Sequence, residues 1–323
     1  MLQKKPLLSI VIPVFNEEES IGESVRRFLA LRDSLLTELK LELLFVNDGS
    51  RDSSLSLLKS AADKDPDVKI ISFSRNFGHQ IAITAGIDLS SGDYVALIDA
   101  DLQDPPELIA DMYRLALTGY DVVYGKRRSR AGESLFKKAT ASAFYRFLNY
   151  MCEIEIPNDT GDFRLMSRKV VNAFTRLRER HRFVRGMVPW LGFRTAPLEY
   201  DRAERYAGTT KFPLRKMFAF AVNAILSFSR KPLTVAIQLG FFIIFMGLIF
   251  GAYLFYARLF TNTIIPGFAT TLLCVIVFSG VQVMLIGVVG EYIARIFEEV
   301  QGRPLYLINE TFNLVESVPK NDF

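Results

Sequence analysis

Two aspartates one residue apart, in Asp99-Ala100-Asp101-Leu102-Gln103, follow directly on the apolar run Tyr94–Ile98. Carboxylates at the end of a buried strand must be paired, hydrogen-bonded or bound to metal to offset the loss of hydration. Two acids offered together suit a hard divalent cation, which prefers oxygen ligands. A cation of that kind suits a phosphate-bearing substrate, because it neutralises charge developing on a leaving nucleoside diphosphate. The plainer alternative is a pair of acids on a solvated loop, where most charged side chains are found. Asp48, in Asn47-Asp48-Gly49-Ser50, accepts hydrogen bonds from a base or ribose in one reading. In the other it forms a turn, since Asp-Gly-Ser is also good turn chemistry. Asp99 and Asp101 offer oxygens to a ribose and to a cation bridging a diphosphate, with Gln103 as a further neutral ligand or hydrogen-bonding group. Cationic side chains to share the phosphate load are present in Lys126-Arg127-Arg128, Arg130, Arg202, Arg205 and Lys211.

The elements that position these residues are legible from residue 7 to about 125. Short apolar runs at Leu8–Val14, Glu42–Val46, Lys69–Phe73, Tyr94–Ile98 and Asp121–Tyr124 predict strands. Amphipathic stretches at Ser20–Leu36, Ser53–Asp63, Gln80–Leu89 and Pro106–Leu117 predict the helices between them. Near-continuous apolar strands alternating with helices imply an α/β fold with a mostly parallel sheet covered on both faces. Ligands of such sheets bind outside the carboxyl ends of the strands. The polar signals lie at those ends: Asn16 and Glu17 after the first strand, Asp48 after the second, Arg75-Asn76 after the third, Asp99 and Asp101 after the fourth.

Composition narrows the class. The chain has 323 residues, half of them hydrophobic, and a formal charge of +4. That mild charge does not suggest nucleic-acid binding and suits work beside an anionic membrane. Cys152 and Cys274 are far apart and imply neither a disulfide framework nor a zinc site. The first apolar run is short, contains Pro13 and lacks a cleavage site, so it reads as a strand rather than a signal peptide. There is no Gly-x-x-x-x-Gly-Lys-Ser/Thr, no Gly-x-Gly-x-x-Gly after the first strand and no Gly-x-Ser-x-Gly. Only His79 and His181 are present, which excludes a histidine-rich metal site.

The second half changes character. Gly161-Asp162-Phe163-Arg164 reads as a polar turn, with Asp162 as a functional acid or, alternatively, a cap on the next helix. Phe212–Ser229 predicts an interfacial helix, or else a core helix of the soluble part. Pro232–Ala257 and Asn262–Gly290 carry no charge and exceed the roughly 20 residues that cross a bilayer core. Arg230 and Lys231 before them, and Arg295 and Arg303 after, predict that both ends are cytosolic. Gly247, Gly251, Gly280, Gly287 and Gly290 suggest a packing seam within this hairpin or between protomers. The resulting division is a cytosolic domain over 1–211, a juxtamembrane helix over 212–231, two spans over 232–290 (about 232–257 and 264–290), and a cytosolic tail over 291–323, polar and peripheral after Gly302.

Several segments resemble glycosyltransferase family 2. They are Ser9-Ile10-Val11-Ile12-Pro13-Val14-Phe15-Asn16-Glu17-Glu18, Val46-Asn47-Asp48-Gly49-Ser50-Arg51-Asp52 and Arg75-Asn76-Phe77-Gly78. Asp99–Gln103 followed by Asp104-Pro105-Pro106 is similar to the polyprenyl-phosphate branch, which includes dolichol-phosphate mannose synthases. Arg205-x-x-Gly208-x-Thr210-Lys211 resembles that branch's Arg-x-x-Gly-x-Ser-Lys, with Thr for Ser. Arg182-Phe183-Val184-Arg185-Gly186 and Trp190-Leu191-Gly192-Phe193 resemble the bacterial undecaprenyl-phosphate glucosyltransferases within it. The resemblance implies a GT-A fold, a nucleotide-sugar donor, Mg²⁺ or Mn²⁺, and inversion at the anomeric carbon. It implies nucleotide binding at Pro13, Phe15, Glu17, Asp48, Asp99, Ala100 and Asp101, and metal binding at Asp101 and Gln103. Phosphate and acceptor binding fall on Arg127, Lys137, Arg205 and Lys211. Asp162 matches the family's proposed catalytic carboxylate, with Asp101 and Arg164 as its partners in catalysis.

The resemblance further implies transfer of glucose from UDP-glucose to undecaprenyl phosphate at the bacterial inner membrane, for O-antigen or envelope glycan modification, with a homo-oligomer formed through the spans. Mannose or amino-arabinose donors are the alternative. A processive polysaccharide synthase is disfavoured, because Gln-x-x-Arg-Trp is absent. A non-catalytic membrane scaffold is disfavoured by the intact acidic motif. Asp162 is expected to position the acceptor, directly or through Arg164, because a lipid phosphate with a second pKa of about 6 needs little deprotonation.

Overall fold

The computed structural model describes residues 5–128, 160–201, 229, 231–260 and 267–314. Two compact units divide the chain: Met1–Tyr145, Ile154–Leu214 and Arg303–Phe323 form the first, Arg146–Glu153 and Arg215–Gly302 the second.

The first unit is built on β1 (Leu7–Val14), β2 (Lys40–Asn47), β3 (Val68–Phe73) and β4 (Tyr94–Leu97), with α1 (Ile21–Leu35), α2 (Ser54–Ala62) and α3 (His79–Leu89) between them. After β4 come α4 (Leu108–Leu117), β5 (Val122–Arg127), β6 (Thr160–Ser167), α5 (Arg168–Phe174), α6 (Val184–Trp190) and β7 (Thr195–Tyr200). A last strand, β8 (Ile308–Phe312), lies near the C-terminus. The eight strands form one sheet in the order β7-β5-β6-β4-β1-β2-β3-β8. β1 pairs in parallel with both β2 and β4, so the strand order reverses at β1. The crevice beside such a reversal is where ligands of open α/β sheets bind.

Alternation along the strands feeds two cores. Leu8, Ile10 and Ile12 join Leu43, Phe45, Phe28, Ile109 and Met112 on one face. Val11 faces the other way against α3, where Gly86 allows the approach: a Cβ there would sit 2.2 Å from a Val11 methyl. Burying each large aliphatic side chain stabilises the fold by about 1.5–3 kcal/mol, which is why these runs were visible in the sequence.

Three expectations are corrected. Residues 160–164 belong to β6, a buried strand between β4 and β5, and are not a turn. The segment alternates, with Phe163 and Leu165 in the core and Asp162 and Arg164 at the intervening positions, so its polar half masked it. Asp162 caps no helix; Ser167 precedes α5. The residues after Gly302 are not peripheral throughout. The second apolar helix runs on to Val300, and β8 then pairs antiparallel with β3. Asn313 closes that return, donating its amide to the carbonyls of Ala62 at 2.8 Å and Val68 at 3.0 Å.

The second unit contains α7 (Lys231–Phe260) and α8 (Phe268–Val300). Lys231–Ala257 and Cys274–Val300 are long and apolar enough to cross a membrane. Phe241, Phe242, Leu248, Ile286 and Ile296 are exposed along them. A Cβ added at Gly247, Gly251, Gly280, Gly287 or Gly290 would meet no atom within 4 Å. Among the described residues, those glycines therefore form no seam within the hairpin. The expected helix over 212–229 lies outside the described residues, apart from Ser229.

Candidate functional site

Three loops meet at the carboxyl end of the sheet. The loops after β1 and β2 are laced together: the Asn16 N–H donates to Ser50 Oγ at 3.0 Å, the Arg51 N–H to Asn16 Oδ1 at 2.9 Å, and the Glu17 N–H to Ser54 Oγ at 2.8 Å. Gly49 lies in the left-handed region (φ +66°), and a Cβ there would lie 2.5 Å from the Arg75 carbonyl carbon. Only glycine lets the third loop come that close. Asp48, buried beneath, clamps that loop. Its carboxylate accepts from Asn76 Nδ2 at 2.9 Å, the Phe77 N–H at 2.7 Å and the Gly78 N–H at 2.9 Å. Burial raises its pKa, and the Phe77 and Gly78 N–H groups work the other way. Asp48 thus organises a neighbouring loop rather than a turn of its own, and it also lines the cavity.

After β4 the chain turns sharply. Leu102 is left-handed (φ +57°) without being glycine, and the Gln103 N–H donates to Asp101 Oδ1 at 3.1 Å. Such backbone strain persists only where surrounding structure enforces it. Here buried Ala100 and Leu102 anchor the turn, and Asp99 and Asp101 face a cavity of about 390 Å³. Pro13, Phe15, Glu17, Asp48, Asn76, His79 and Ala100 also line it. All seven residues expected to bind a nucleotide are thus brought together. Burial and the charges of Asp162, Asp101 and Asp104 raise the pKa of Asp99, and His79 opposes them.

Asp162 stands at the centre of a charged network. Its carboxylate accepts from Arg185 Nε at 3.0 Å and Nη2 at 3.1 Å, and from Gln80 Nε2 at 3.3 Å. His79 Nε2 lies 3.3 Å from it and 3.6 Å from Asp99. Burial opposes ionisation of Asp162, but Arg185 and His79 outweigh it and hold the carboxyl well below the usual range. The same carboxylates act on His79. Burial disfavours its charge, yet Asp162 and Asp99 raise its pKa to about 9. Gln80 ties α6 into the network, its Oε1 accepting from the Val184 N–H at 2.9 Å. Arg164, also buried, donates instead to the carbonyls of Gly161 at 3.1 Å and Asp162 at 3.3 Å. Burial, with the charge of Arg185, lowers its pKa to about 10 although Asp162 opposes them. Arg185, not Arg164, is therefore the cation on the Asp162 carboxylate.

Arg127 lies 3.8 Å from buried Asp104 and 3.4 Å from Tyr200 Oη, on the β5–β7 side. Lys137, Arg205 and Lys211, together with Arg130, Arg202 and Cys152, lie outside the described residues. Among the described residues no three His, Cys, Asp or Glu side chains could enclose a metal by themselves. A cation that arrives with a diphosphate needs only one or two protein oxygens, because phosphates and water complete its shell. Asp101 lines the cavity and offers an oxygen of that kind; Gln103 is not among the lining residues and is tied to Asp101 through its N–H.

His79, Gln80 and Arg185 were not singled out from the sequence as site residues, and Asn76 was marked only as a polar residue after the third strand. His79 and Gln80 open α3 at a strand's carboxyl end, a position already marked for ligands. Arg185 was visible only as part of a motif, with no neighbour in sequence to show what it touches.

Residues 9–174 match glycosyl transferase family 2. The chain is 48% identical to the "Uncharacterized glycosyltransferase YkcC" of Bacillus subtilis, over 95% of this chain and 94% of that one. It is 40% identical to the "Bactoprenol glucosyl transferase" of Shigella phage SfII, over 94% of this chain and 98% of that one. Among solved structures it is similar to glucosyl-3-phosphoglycerate synthase from Mycobacterium tuberculosis in complex with Mn²⁺, UDP-glucose and phosphoglyceric acid. That match has a TM-score of 0.44 and 21% identity, covering 68% of this chain and 78% of that one. With a family match over half its length and relatives aligned nearly end to end, this chain is a glycosyltransferase belonging to glycosyl transferase family 2.

Proposed function

We propose that this protein transfers a hexose, glucose from UDP-glucose in the first instance, to undecaprenyl phosphate at the cytosolic face of a bacterial inner membrane. The observation that carries the reading is the convergence of Glu17, Asp48, Asp99 and Asp101 on one cavity, with the Asp162–Arg185–His79 network beside it. The relatives named bactoprenol glucosyl transferase support the acceptor and the sugar. The two apolar helices supply a reason for a lipid acceptor, since large contiguous apolar surfaces are not left in water. Two spans return the chain to the side it left, and residues 308–312 complete the sheet that residues 7–200 begin. Any crossing is therefore made an even number of times.

In the chemistry that follows, an acceptor phosphate oxygen attacks the anomeric carbon. The bond from that carbon to the donor β-phosphate oxygen breaks, and the nucleoside diphosphate leaves with the electron pair. Single displacement inverts the centre. A phosphate with a second pKa of about 6 is largely dianionic at neutral pH and needs no base. Asp162, held ionised by Arg185 and His79, is poorly matched to proton abstraction near neutrality. Its role is to fix Arg185 toward the reacting phosphates. Asp101 and Gln103 would hold a Mg²⁺ or Mn²⁺, which would supply charge neutralisation for the leaving diphosphate. Asp48, Asp99, Ala100, Pro13, Phe15 and Glu17 hold the nucleoside, Arg164 braces the backbone under Asp162, and Arg127 with Lys137, Arg205 and Lys211 serve the phosphates. Glycines unoccupied within the hairpin suit packing between protomers.

A panel of radiolabelled nucleotide sugars with undecaprenyl phosphate tests this. Label entering the lipid from UDP-glucose, abolished by EDTA and restored by Mg²⁺ or Mn²⁺, is expected. Labelling from a mannose or amino-arabinose donor instead would reassign the sugar. No labelled lipid from any donor would overturn the reading.

A further inference from the structure

The cavity has a charge problem that the acids cannot solve. Its lining includes four carboxylates, Glu17, Asp48, Asp99 and Asp101. The ligand proposed for it is itself an anion. A bound divalent cation offsets part of that repulsion, and a fixed cation from the protein would offset more. Among the described residues that line the cavity, His79 is the one able to carry positive charge.

We propose that His79 is a phosphate-contacting residue of this site, a side chain set between Asp99 and Asp162 that meets the β-phosphate of the donor or the phosphate of the acceptor. The proposal rests on the glycosyltransferase reading above and names a residue for it. Three features of the structure support it. The side chain is 45% exposed although its Nε2 lies between two carboxylates, so ring surface remains open. Those carboxylates keep it charged at neutral pH. It stands at the first position of α3, an eleven-residue helix whose positive end faces the same cavity through Gly78, His79 and Ala82. A histidine serving only to brace Asp162 would be replaced by a neutral hydrogen-bond donor with no selective loss of phosphate binding. A histidine that meets phosphate would not.

The test is His79→Gln in the full-length protein, with binding of UDP and of UMP measured in Mg²⁺ and transfer followed against undecaprenyl phosphate concentration. If His79 meets the leaving diphosphate, UDP affinity falls about tenfold and UMP affinity holds. If it meets the acceptor, the UDP-to-UMP ratio holds and KM for undecaprenyl phosphate rises by about the same factor. His79→Lys, which restores a cation, regains part of either loss, and melting temperature shows that both variants fold. Unchanged UDP-to-UMP discrimination together with an unchanged acceptor KM overturns the proposal, as does equal weakening of UDP and UMP. A wild-type protein that discriminates UDP from UMP through His79 yet labels no polyprenyl phosphate overturns the acceptor reading and leaves the role of His79 standing.

Discussion

At the scale of single residues, the site is a set of charges that hold one another in place. Asp162 is ionised because Arg185 and His79 surround it, and His79 is charged because Asp162 and Asp99 face it. Its folded pKa of about 9 lies above the ordinary 6.5. By linkage, the stability it contributes is fully present below pH 6.5 and is lost as pH rises through 9. The chain has only 2 histidines, so histidine-selective NMR can follow the titration directly. The His79 signal is expected to titrate near 9 in wild type and to move down toward its ordinary value in Asp162→Asn. The same variant is expected to lose at least about a hundredfold in kcat, as groups that orient reactants do. Its rate-versus-pH profile should keep the wild-type acid limb. Loss of that limb would make Asp162 a base. Arg185→Lys is expected to resemble Asp162→Asn in rate, because an ammonium cannot reproduce a two-point guanidinium contact.

At the scale of elements, close approaches decide where loops and helices sit. Gly86 of α3 rests on Val11 of β1, where an added Cβ would overlap a methyl at 2.2 Å. Gly86→Ala is expected to destabilise by about 1–3 kcal/mol through overpacking. Val11→Ala in the same chain should recover part of that, a coupling that denaturant unfolding of both single variants and the double variant would read. At the opposite end of the sheet from the cavity, buried Glu42 accepts from Ser9, Ser91 and Lys69. Burial raises its pKa, but those partners together bring it below the ordinary value. Its contribution is therefore present above the unfolded carboxylate value of about 4.3 and is lost as pH falls through the lower folded value. Lys69→Met leaves that carboxylate buried without its cation and is expected to cost about 3 kcal/mol and raise the midpoint of acid unfolding. An unchanged midpoint would show that the pair is not the group that titrates.

At the scale of the whole molecule, the last strand changes how the chain can be cut. The structure makes residues 303–313 part of the first unit. Tyr306 stacks on Phe73 with ring centroids 5.3 Å apart and donates to Asp88 at 3.1 Å, and the Ser74 N–H donates to the Leu307 carbonyl at 3.0 Å. Phe73 and Ser74 lead directly into the loop that Asp48 clamps and that runs into α3 at His79. Removing residues 303–323 alone is therefore expected to lower the melting temperature by several degrees and to weaken UDP binding. A truncation that binds UDP as tightly as the full chain would show that β8 does not support the donor site.

Much of this was readable in the sequence because it rests on local patterns. Apolar runs of strand length with helical periods between them located β1 to β5 and α1 to α4 to within a few residues, and the acids at their ends marked the cavity. The pattern hid β6, since Asp162 and Arg164 are buried there against each other's neighbours rather than exposed, and β8, since a short edge strand far along the chain carries little signal. Strand order, the pairing of Arg185 rather than Arg164 with Asp162, and the place of His79 between two carboxylates were decided only by tertiary structure. Each depends on side chains 20 or more residues apart meeting in space, and no local rule of spacing encodes such a meeting. For the pair that opened the sequence reading, sequence alone determined that Asp99 and Asp101 end a buried strand. Only the fold decided that Asp101 faces the cavity from a strained turn while Asp99 shares its charge with His79.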